Sequence, residues 1–358
     1  MKMALGLAAR GLGSVWPNPA VGCVLVRNGH VVGRGWTQPG GRPHAETVAL
    51  AQAGDRAKGS TAYVTLEPCA HQGQTPPCAD ALIVAGVARV VVALQDPDPR
   101  VDGGGITKLR AAGVDVITDC LSAEAANLNR GFLLRVTEGR PFVTLKLASS
   151  FDGRIATASG ESQWITGPDA RRRVHLKRST HDAVMVGGGT ARADDPSLTV
   201  RGLGVKQQPV RVVMSRRLDL PLTGQLAQSA ASIPVWLCCG PDAPTELRDA
   251  WTGMGARIFD ANVGRNGQLD PSSAMQALAE QGLTRVFCEG GGALAASLLA
   301  ADQVDQIVGF TAGMALGAEG RPSLGAMGID ALSMAPRFTL NRIRVVGGDV
   351  MHVWSRTP

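Results

Sequence analysis

Short apolar runs alternate along this chain with turn-forming residues, and their lengths fit strands and short helices rather than long spans. Residues 20–32 contain Val21-Gly22-Cys23-Val24-Leu25-Val26 followed by Asn28-Gly29, the two-residue signature of a β-hairpin. A helix bearing His44 is expected next. Strand-like runs at 62–66, 90–93 and 114–117 then alternate with helix-like runs at 79–85 and 106–111, the pattern of an α/β layered domain. The polar break Glu138-Gly139-Arg140-Pro141 ends this region, and a new strand, Phe142-Val143-Thr144-Leu145-Lys146-Leu147-Ala148, begins directly behind it. Two domains are therefore expected, 1–139 and 140–358. The second carries strand-like runs at 183–186, 210–214, 235–238, 285–288 and 304–311, with helical segments between several of them, so it too reads as α/β.

Length supports that division, because 358 residues exceed the usual size of one compact core. Hydrophobic residues make up 44% and charged residues 18%, and 45 glycines against a single tyrosine favour α/β turns over an aromatic-rich β-sandwich. The apolar runs are too short to span a bilayer, and the first residues lack an export signal, so no membrane partner is expected. Seven cysteines without a repeating framework fit reduced thiols in the cytoplasm. A formal charge of +6 raises the question of nucleic acid. The basic residues are spread out, and the one dense run, Arg171-Arg172-Arg173 continuing to His175, Lys177 and Arg178, reads mostly as a solvated helix face, so nucleic acid is not expected as a partner.

The candidate chemistry is concentrated in two stretches. Pro43-His44-Ala45-Glu46 and Glu67-Pro68-Cys69-Ala70-His71-Gln72-Gly73-Gln74-Thr75-Pro76-Pro77-Cys78 offer one imidazole, two thiols and an additional carboxylate. Catalytic zinc usually keeps three protein ligands and one open position, which His44, Cys69 and Cys78 can supply. In zinc deaminases a carboxylate that is not a ligand shuttles protons, a role open to Glu46. Eight residues separate the cysteines, where the general deaminase signature has two. A pair of small buried thiols is the competing reading. In the second half, Glu289-Gly290-Gly291-Gly292-Ala293-Leu294 lies between a strand and a helix, a turn that can present N–H groups to phosphate. No Gly-x-Gly-x-x-Gly fingerprint follows the first strand of that half.

These motifs, together with Pro17-Asn18-Pro19-Ala20-Val21-Gly22-Cys23, Lys146-Leu147-Ala148-Ser149, Asp152-Gly153-Arg154, the run Gly160-Glu161-Ser162-Gln163-Trp164-Ile165-Thr166, Ala193-Asp194-Asp195-Pro196 and Leu198-Thr199-Val200-Arg201, resemble the bifunctional deaminase/reductase family of riboflavin biosynthesis over nearly the whole chain. The resemblance implies a cytidine-deaminase-like first domain and a dihydrofolate-reductase-like second domain, with Zn2+ and NADPH as cofactors. Deamination of a diaminopyrimidinone carrying a phosphoribosylamino group would be followed by reduction of its ribosyl group. By matching position, Asn18 and His71 are candidate deaminase substrate contacts, and Ser162, Arg178, Leu198, Arg201 and Glu289 are candidate reductase substrate contacts. Ala148, Trp164, Thr190, Asp194 and the stretch Gly291, Gly292, Ala293, Leu294, Ala295, Ala296 and Ser297 are candidate NADPH contacts. Lys146 and Asp194 are candidates for charge stabilisation or proton delivery. Reductase domains of this family commonly pair, so a homo-oligomer through the second domain is expected. The chain departs from the family at Thr37, where a histidine is usual, and at Gln74, where a basic residue is usual. The rival readings are a deaminase of another nucleobase or of nucleic acid with a degenerate second domain, and a zinc-stabilised binding protein.

Overall fold

The computed structural model describes residues 1–70 and 76–357, which separate into two compact units, Met1–Gly139 and Arg140–Pro358. Candidate residues His71 and Gln74 lie outside the described residues.

In the first unit a five-stranded sheet has the order β2-β1-β3-β4-β5, from β1 (Gly22–Arg27), β2 (His30–Trp36), β3 (Thr61–Val64), β4 (Arg89–Val92) and β5 (Asp115–Ile117). Strand β1 runs antiparallel to both β2 and β3, while β3, β4 and β5 are parallel. The expected hairpin turn is present: Asn28 and Gly29 both take positive φ, the conformation that matches a two-residue turn to the twist of its strands. Helices α1 (Lys2–Ala8), α2 (Ala45–Ala53), α3 (Cys78–Val84), α4 (Gly104–Ala111), α5 (Ser122–Leu128) and α6 (Arg130–Glu138) complete the unit. Its core joins Cys23 and Leu25 of β1, Ala45, Ala49 and Ala53 of α2, Val64 of β3, Leu82 of α3, Val90 and Val92 of β4 and Leu109 of α4. Helix α2 lies directly on β2. A Cβ on Gly35 would stand 2.1 Å from the Ala45 carbonyl oxygen, so only glycine admits the helix start at this depth.

In the second unit, strands β6 (Phe142–Ser150) and β7 (Arg154–Ala156) precede α7 (Pro168–Arg178), β8 (Ala183–Gly187), α8 (Gly188–Asp194), β9 (Val210–Met214), α9 (Gln225–Gln228) and β10 (Val235–Cys239). There follow α10 (Thr245–Gly253), β11 (Arg257–Asp260), α11 (Pro271–Glu280), β12 (Arg285–Cys288), α12 (Gly292–Ala300), β13 (Gln306–Ala312), β14 (Arg321–Pro322), β15 (Phe338–Val346) and β16 (Asp349–Arg356). The main sheet has nine strands in the order β11-β10-β9-β8-β12-β6-β13-β16-β15. Its strands are parallel from β11 to β13, and the last two form an antiparallel hairpin at the edge. Strands β9 and β10, each paired on both sides, are buried at every residue; β10 accordingly reads as a continuous apolar run rather than an alternating one, while β9 also buries Arg211, whose guanidinium donates to Ser229 and to the Ile233 carbonyl. Among the described residues no helix is long and apolar enough to cross a membrane.

Strand β11 and the hairpin β15–β16 were not among the expected elements. Strand β15 is exposed along most of its length, and its sequence Phe338-Thr339-Leu340-Asn341-Arg342-Ile343-Arg344-Val345-Val346 mixes apolar and charged positions without a buried face to mark it. The expected helix carrying His44 in fact begins one residue later. His44 is its N-cap in extended conformation, and its carbonyl accepts the first helical hydrogen bond, from Val48.

Candidate functional site

Three chain segments meet in the first unit. At the start of α2, His44 caps the helix and Glu46 lies in its first turn, only 3% exposed. Behind β3 comes the loop bearing Cys69, and Cys78 opens α3. The Cys69 carbonyl accepts the N–H of Ala79 at 3.2 Å, and its Sγ accepts the N–H of Cys78 at 3.4 Å, so Cys69 is bound twice to the α3 amino end. The helix end favours negative charge on that sulfur.

His44 Nδ1 stands 3.3 Å from Cys78 Sγ and 3.7 Å from Cys69 Sγ, and the three donor atoms lie within 4.8 Å of one another. Tetrahedral zinc with ordinary Zn–N and Zn–S bonds separates nitrogen from sulfur by about 3.5 Å. The donor set, of one imidazole and two thiols, therefore fits zinc in both spacing and chemistry. The hydrogen bond from Cys78 pushes the Cys69 thiol down to about 4, and the same contact, with burial, drives Cys78 upward. His44 is raised, first by its hydrogen bond with Cys69. Burial raises Glu46 to about 7, and its carboxyl also bonds the Cys78 side chain. A carboxyl that titrates near neutrality can take and return a proton, which is what general acid–base chemistry asks of it.

Asn18 Nδ2 lies against Gly41, where an added Cβ would come within 1.8 Å, so this candidate contact flanks the segment leading to His44. Thr37, where the chain departs from the family pattern, directly follows β2. It is 2% exposed; its Oγ1 accepts the N–H of Val21 and donates to the Pro19 carbonyl, stitching the Pro17-Asn18-Pro19 segment to β2.

The second unit gathers a different cluster. Arg178, at the end of α7, donates from Nε and Nη2 to the two oxygens of Glu289 and from Nη1 to the Thr199 carbonyl at 2.7 Å. Both side chains of this pair are about nine-tenths covered, at 11% and 10% exposure. Lys146 of β6 and Asp194, the last residue of α8, feel the same cluster: burial lowers the Lys146 amine while Glu289 and Asp194 pull it back up, and burial raises Asp194. His175 accepts the N–H of Arg201 at Nδ1 and is lowered by burial and by Arg178 and Arg201.

Other candidates divide by environment. Leu198 is buried in a hydrophobic cluster with Leu218 and Leu220 and takes positive φ, so its side chain is committed to packing. Ala148 packs against the core beside Phe287 and Phe310. Ser162 is half-buried, whereas Trp164 is 63% exposed and carries the Arg171 guanidinium 4.5 Å over its ring. Thr190 Oγ1 accepts the N–H of Gly291, the N-cap of α12, so it buttresses the glycine turn. Gly292, Ala293 and Leu294 form the first turn of that helix. Ala295 and Ala296 are buried behind it, and Ser297 follows on the next turn.

Glu67, at the head of the stretch that carries both cysteines, has a role that the sequence does not signal. Its buried carboxylate accepts four backbone N–H groups, a use that no residue pattern within its own segment signals because the donors come from positions 96–106.

Comparison with known proteins covers both units. The cytidine and deoxycytidylate deaminase zinc-binding region matches residues 1–94, and the RibD C-terminal domain matches residues 141–352. The riboflavin biosynthesis protein RibD of Escherichia coli (strain K12) is 44% identical over 356 residues, covering 98% of this chain and 96% of that protein. That of Haemophilus influenzae is 42% identical over 362 residues, covering 98% and 95%. Among solved structures, Acinetobacter baumannii RibD, form 2, superposes with a TM-score of 0.88 at 38% identity, covering 99% of this chain and 97% of its own. A Thermotoga maritima protein described as a diaminohydroxyphosphoribosylaminopyrimidine deaminase/5-amino-6-(5-phosphoribosylamino)uracil reductase gives 0.86 at 33% identity, covering 100% and 97%.

Proposed function

This chain belongs to the RibD family, whose members join a deaminase to a reductase in riboflavin biosynthesis, and from that premise we propose how its two units divide the work. It is an enzyme with both activities and uses Zn2+ and NADPH. Residues 1–139 carry out hydrolytic deamination of 2,5-diamino-6-(5-phosphoribosylamino)pyrimidin-4(3H)-one to 5-amino-6-(5-phosphoribosylamino)uracil. Residues 140–358 then reduce the ribosyl group, giving 5-amino-6-(5-phosphoribitylamino)uracil. The observation that carries the first assignment is the convergence of His44, Cys69 and Cys78 beside a buried carboxylate raised to about 7.

In this reading His44, Cys69 and Cys78 hold zinc, which when bound supplies the Lewis acidity that makes water a nucleophile at neutral pH. Glu46 takes one proton from the attacking water and gives it to the ring nitrogen, then takes the second from the newly added hydroxyl and gives it to the amine, so that the C–N bond breaks and ammonia leaves as the carbonyl forms. Its burial leaves the carboxyl near neutrality and able to do both. Asn18 and His71 orient the pyrimidine and its sugar phosphate.

In the second unit NADPH supplies the reducing equivalents, and the protein's part is orientation and charge. Glu289, Arg178, Ser162, Leu198 and Arg201 hold the substrate, with Leu198 acting through its main chain. Ala148, Trp164, Thr190, Asp194 and residues 291–297 hold NADPH. The α12 amino end suits a phosphate, because its first-turn N–H groups lack helical acceptors. Lys146, whose amine is lowered by burial and raised by Glu289 and Asp194, balances charge or delivers a proton at the reacting sugar in this reading.

The second unit also pairs with a copy of itself. Strand β15 lies at the sheet edge with Leu340, Ile343 and Val345 exposed, Val345 at 74%, and this unpaired edge with its apolar side chains offers a surface for a second copy's strand. Sedimentation of the intact protein tests this, and a monomer at micromolar concentration would count against it. All seven cysteines are free, as suits the reducing cytoplasm, and the substrate in this reading is a small molecule rather than nucleic acid.

The decisive experiment incubates the intact protein with the phosphoribosylaminopyrimidine, with and without NADPH, and reads product masses. Deamination without NADPH and a further gain of two hydrogens with it are expected. Ammonia release without any NADPH consumption would leave the second unit with another function.

A further inference from the structure

Glu67 stands two residues before Cys69, and it is 4% exposed. Its Oε1 accepts the N–H groups of Gly105 and Ile106 at 2.9 and 3.1 Å, and its Oε2 accepts those of Gly103 and Asp96 at 3.1 and 3.2 Å. Gly103 is the N-cap of α4, and Gly105 and Ile106 lie in its first turn, so the carboxylate rests on the positive end of that helix. A second observation fixes the same loop from its main chain. A Cβ on Gly105 would fall 1.9 Å from the Pro68 carbonyl oxygen, so α4 and the Pro68–Cys69 peptide are in direct contact. On its other side Cys69 is bound to the start of α3 through both Sγ and its carbonyl.

A continuous set of contacts thus runs from the α4 amino end through Glu67 and Pro68 to Cys69 and on to the α3 amino end. We propose that Glu67 is a positioning residue of the metal centre: by gripping the α4 amino end it fixes where the Cys69 sulfur stands relative to His44 and Cys78. This rests on the reading of His44, Cys69 and Cys78 as the zinc set. The network is built for a carboxylate. Four donors converge on two acceptor oxygens, and an amide in their place would turn an NH2 group toward two N–H groups. Groups that orient metal ligands from behind typically contribute about 10–100-fold to metal affinity.

The test uses the full-length protein and reads metal binding rather than turnover. Zinc affinity is measured by competition with a chromophoric chelator, and the d–d absorption of the cobalt(II)-substituted protein reports ligand geometry. Wild type is expected to bind one zinc. Glu67→Gln is expected to bind it about 10–100-fold more weakly, with altered cobalt bands. Glu67→Asp, which keeps the charge, should recover part of the loss. Gly105→Ala retains the carboxylate but presses on the Pro68 carbonyl, and it should weaken zinc in the same direction.

Zinc affinity and cobalt spectra like wild type in Glu67→Gln, even with lowered melting temperature, would reduce Glu67 to a packing residue and overturn the proposal. Should Glu67→Gln not fold, unchanged zinc affinity in both Glu67→Asp and Gly105→Ala would overturn it equally. A wild type that binds no zinc would instead sink the metal assignment itself, a result distinct from either.

Discussion

The two units assemble their polar sites by opposite routes. In the first, every donor lies between His44 and Cys78, and two helix starts and one loop bring the set together. In the second, Lys146, Arg178, Asp194 and Glu289 come from a strand, two helix ends and the turn after another strand, separated by most of the unit's length. The first site is a compact donor set of His44, Cys69 and Cys78 with the buried carboxyl of Glu46 beside it. The second is an ion-paired cluster in which the Arg178 guanidinium already gives three of its five N–H groups to protein acceptors. A site of the first kind depends on local geometry. One of the second kind depends on the sheet that carries it.

That contrast predicts separable failures, and the largest belongs to the donor set. Cys69→Ser in the full chain should lose zinc and ammonia release together, while reduction of the already deaminated ribosylaminouracil phosphate by NADPH continues at the wild-type rate. Metal content and the two assays on one preparation check this. A parallel loss of reduction, at unchanged folding and NADPH affinity, would break the two-site division. Next in size is Glu46→Gln. The amide cannot shuttle protons but leaves all three donors in place, so zinc should stay while ammonia release drops about a hundredfold to ten-thousandfold. Loss of zinc in that variant would move Glu46 from proton transfer to ligation or folding.

The same contrast explains what the sequence made legible. His44, Cys69, Cys78 and Glu46 could be found because metal chemistry restricts residue type and the donors fall in two short motifs. The Asn28-Gly29 hairpin and the buried parallel strands were legible because turn sterics and two-sided burial leave direct traces in residue choice. Arg178 and Glu289 had no such signature. Each reads singly as a solvated charge, and only the sheet brings them within bonding distance, so resemblance rather than pattern brought them forward. Glu67 shows the same limit inside the first unit, since its four partners are backbone groups that carry no residue identity. Strand β15 was missed because its exposed face follows neither period of burial.

In the second unit the expected effect is on stability before chemistry. Glu289→Ala leaves the largely buried Arg178 guanidinium without its carboxylate, and breaking one side of such a pair costs about 3–5 kcal/mol. Melting followed by a probe in the second unit should shift accordingly, with reductase activity falling, while zinc content and ammonia release hold. If the melting transition does not move, relaxation or solvent must have rescued the arginine, and the cluster would be less rigid than its hydrogen bonds imply.

The smallest expected effect falls on Trp164. A core aromatic would cost several kcal/mol on removal, but at 63% exposure this ring is outside the core, with the Arg171 guanidinium 4.5 Å over it. An exposed cation–π contact is worth about 0.5–1 kcal/mol, so Trp164→Leu should leave the melting temperature almost unchanged. If the ring also faces NADPH, its loss should raise the KM for NADPH several-fold with little change in kcat, and direct titration of NADPH should weaken by the same factor. Zinc content and ammonia release should be untouched. An unchanged NADPH affinity would assign Trp164 to its partnership with Arg171 alone and remove it from the cofactor site, while a large stability loss would mean that the exposed ring is covered in solution, most simply by another copy of the chain.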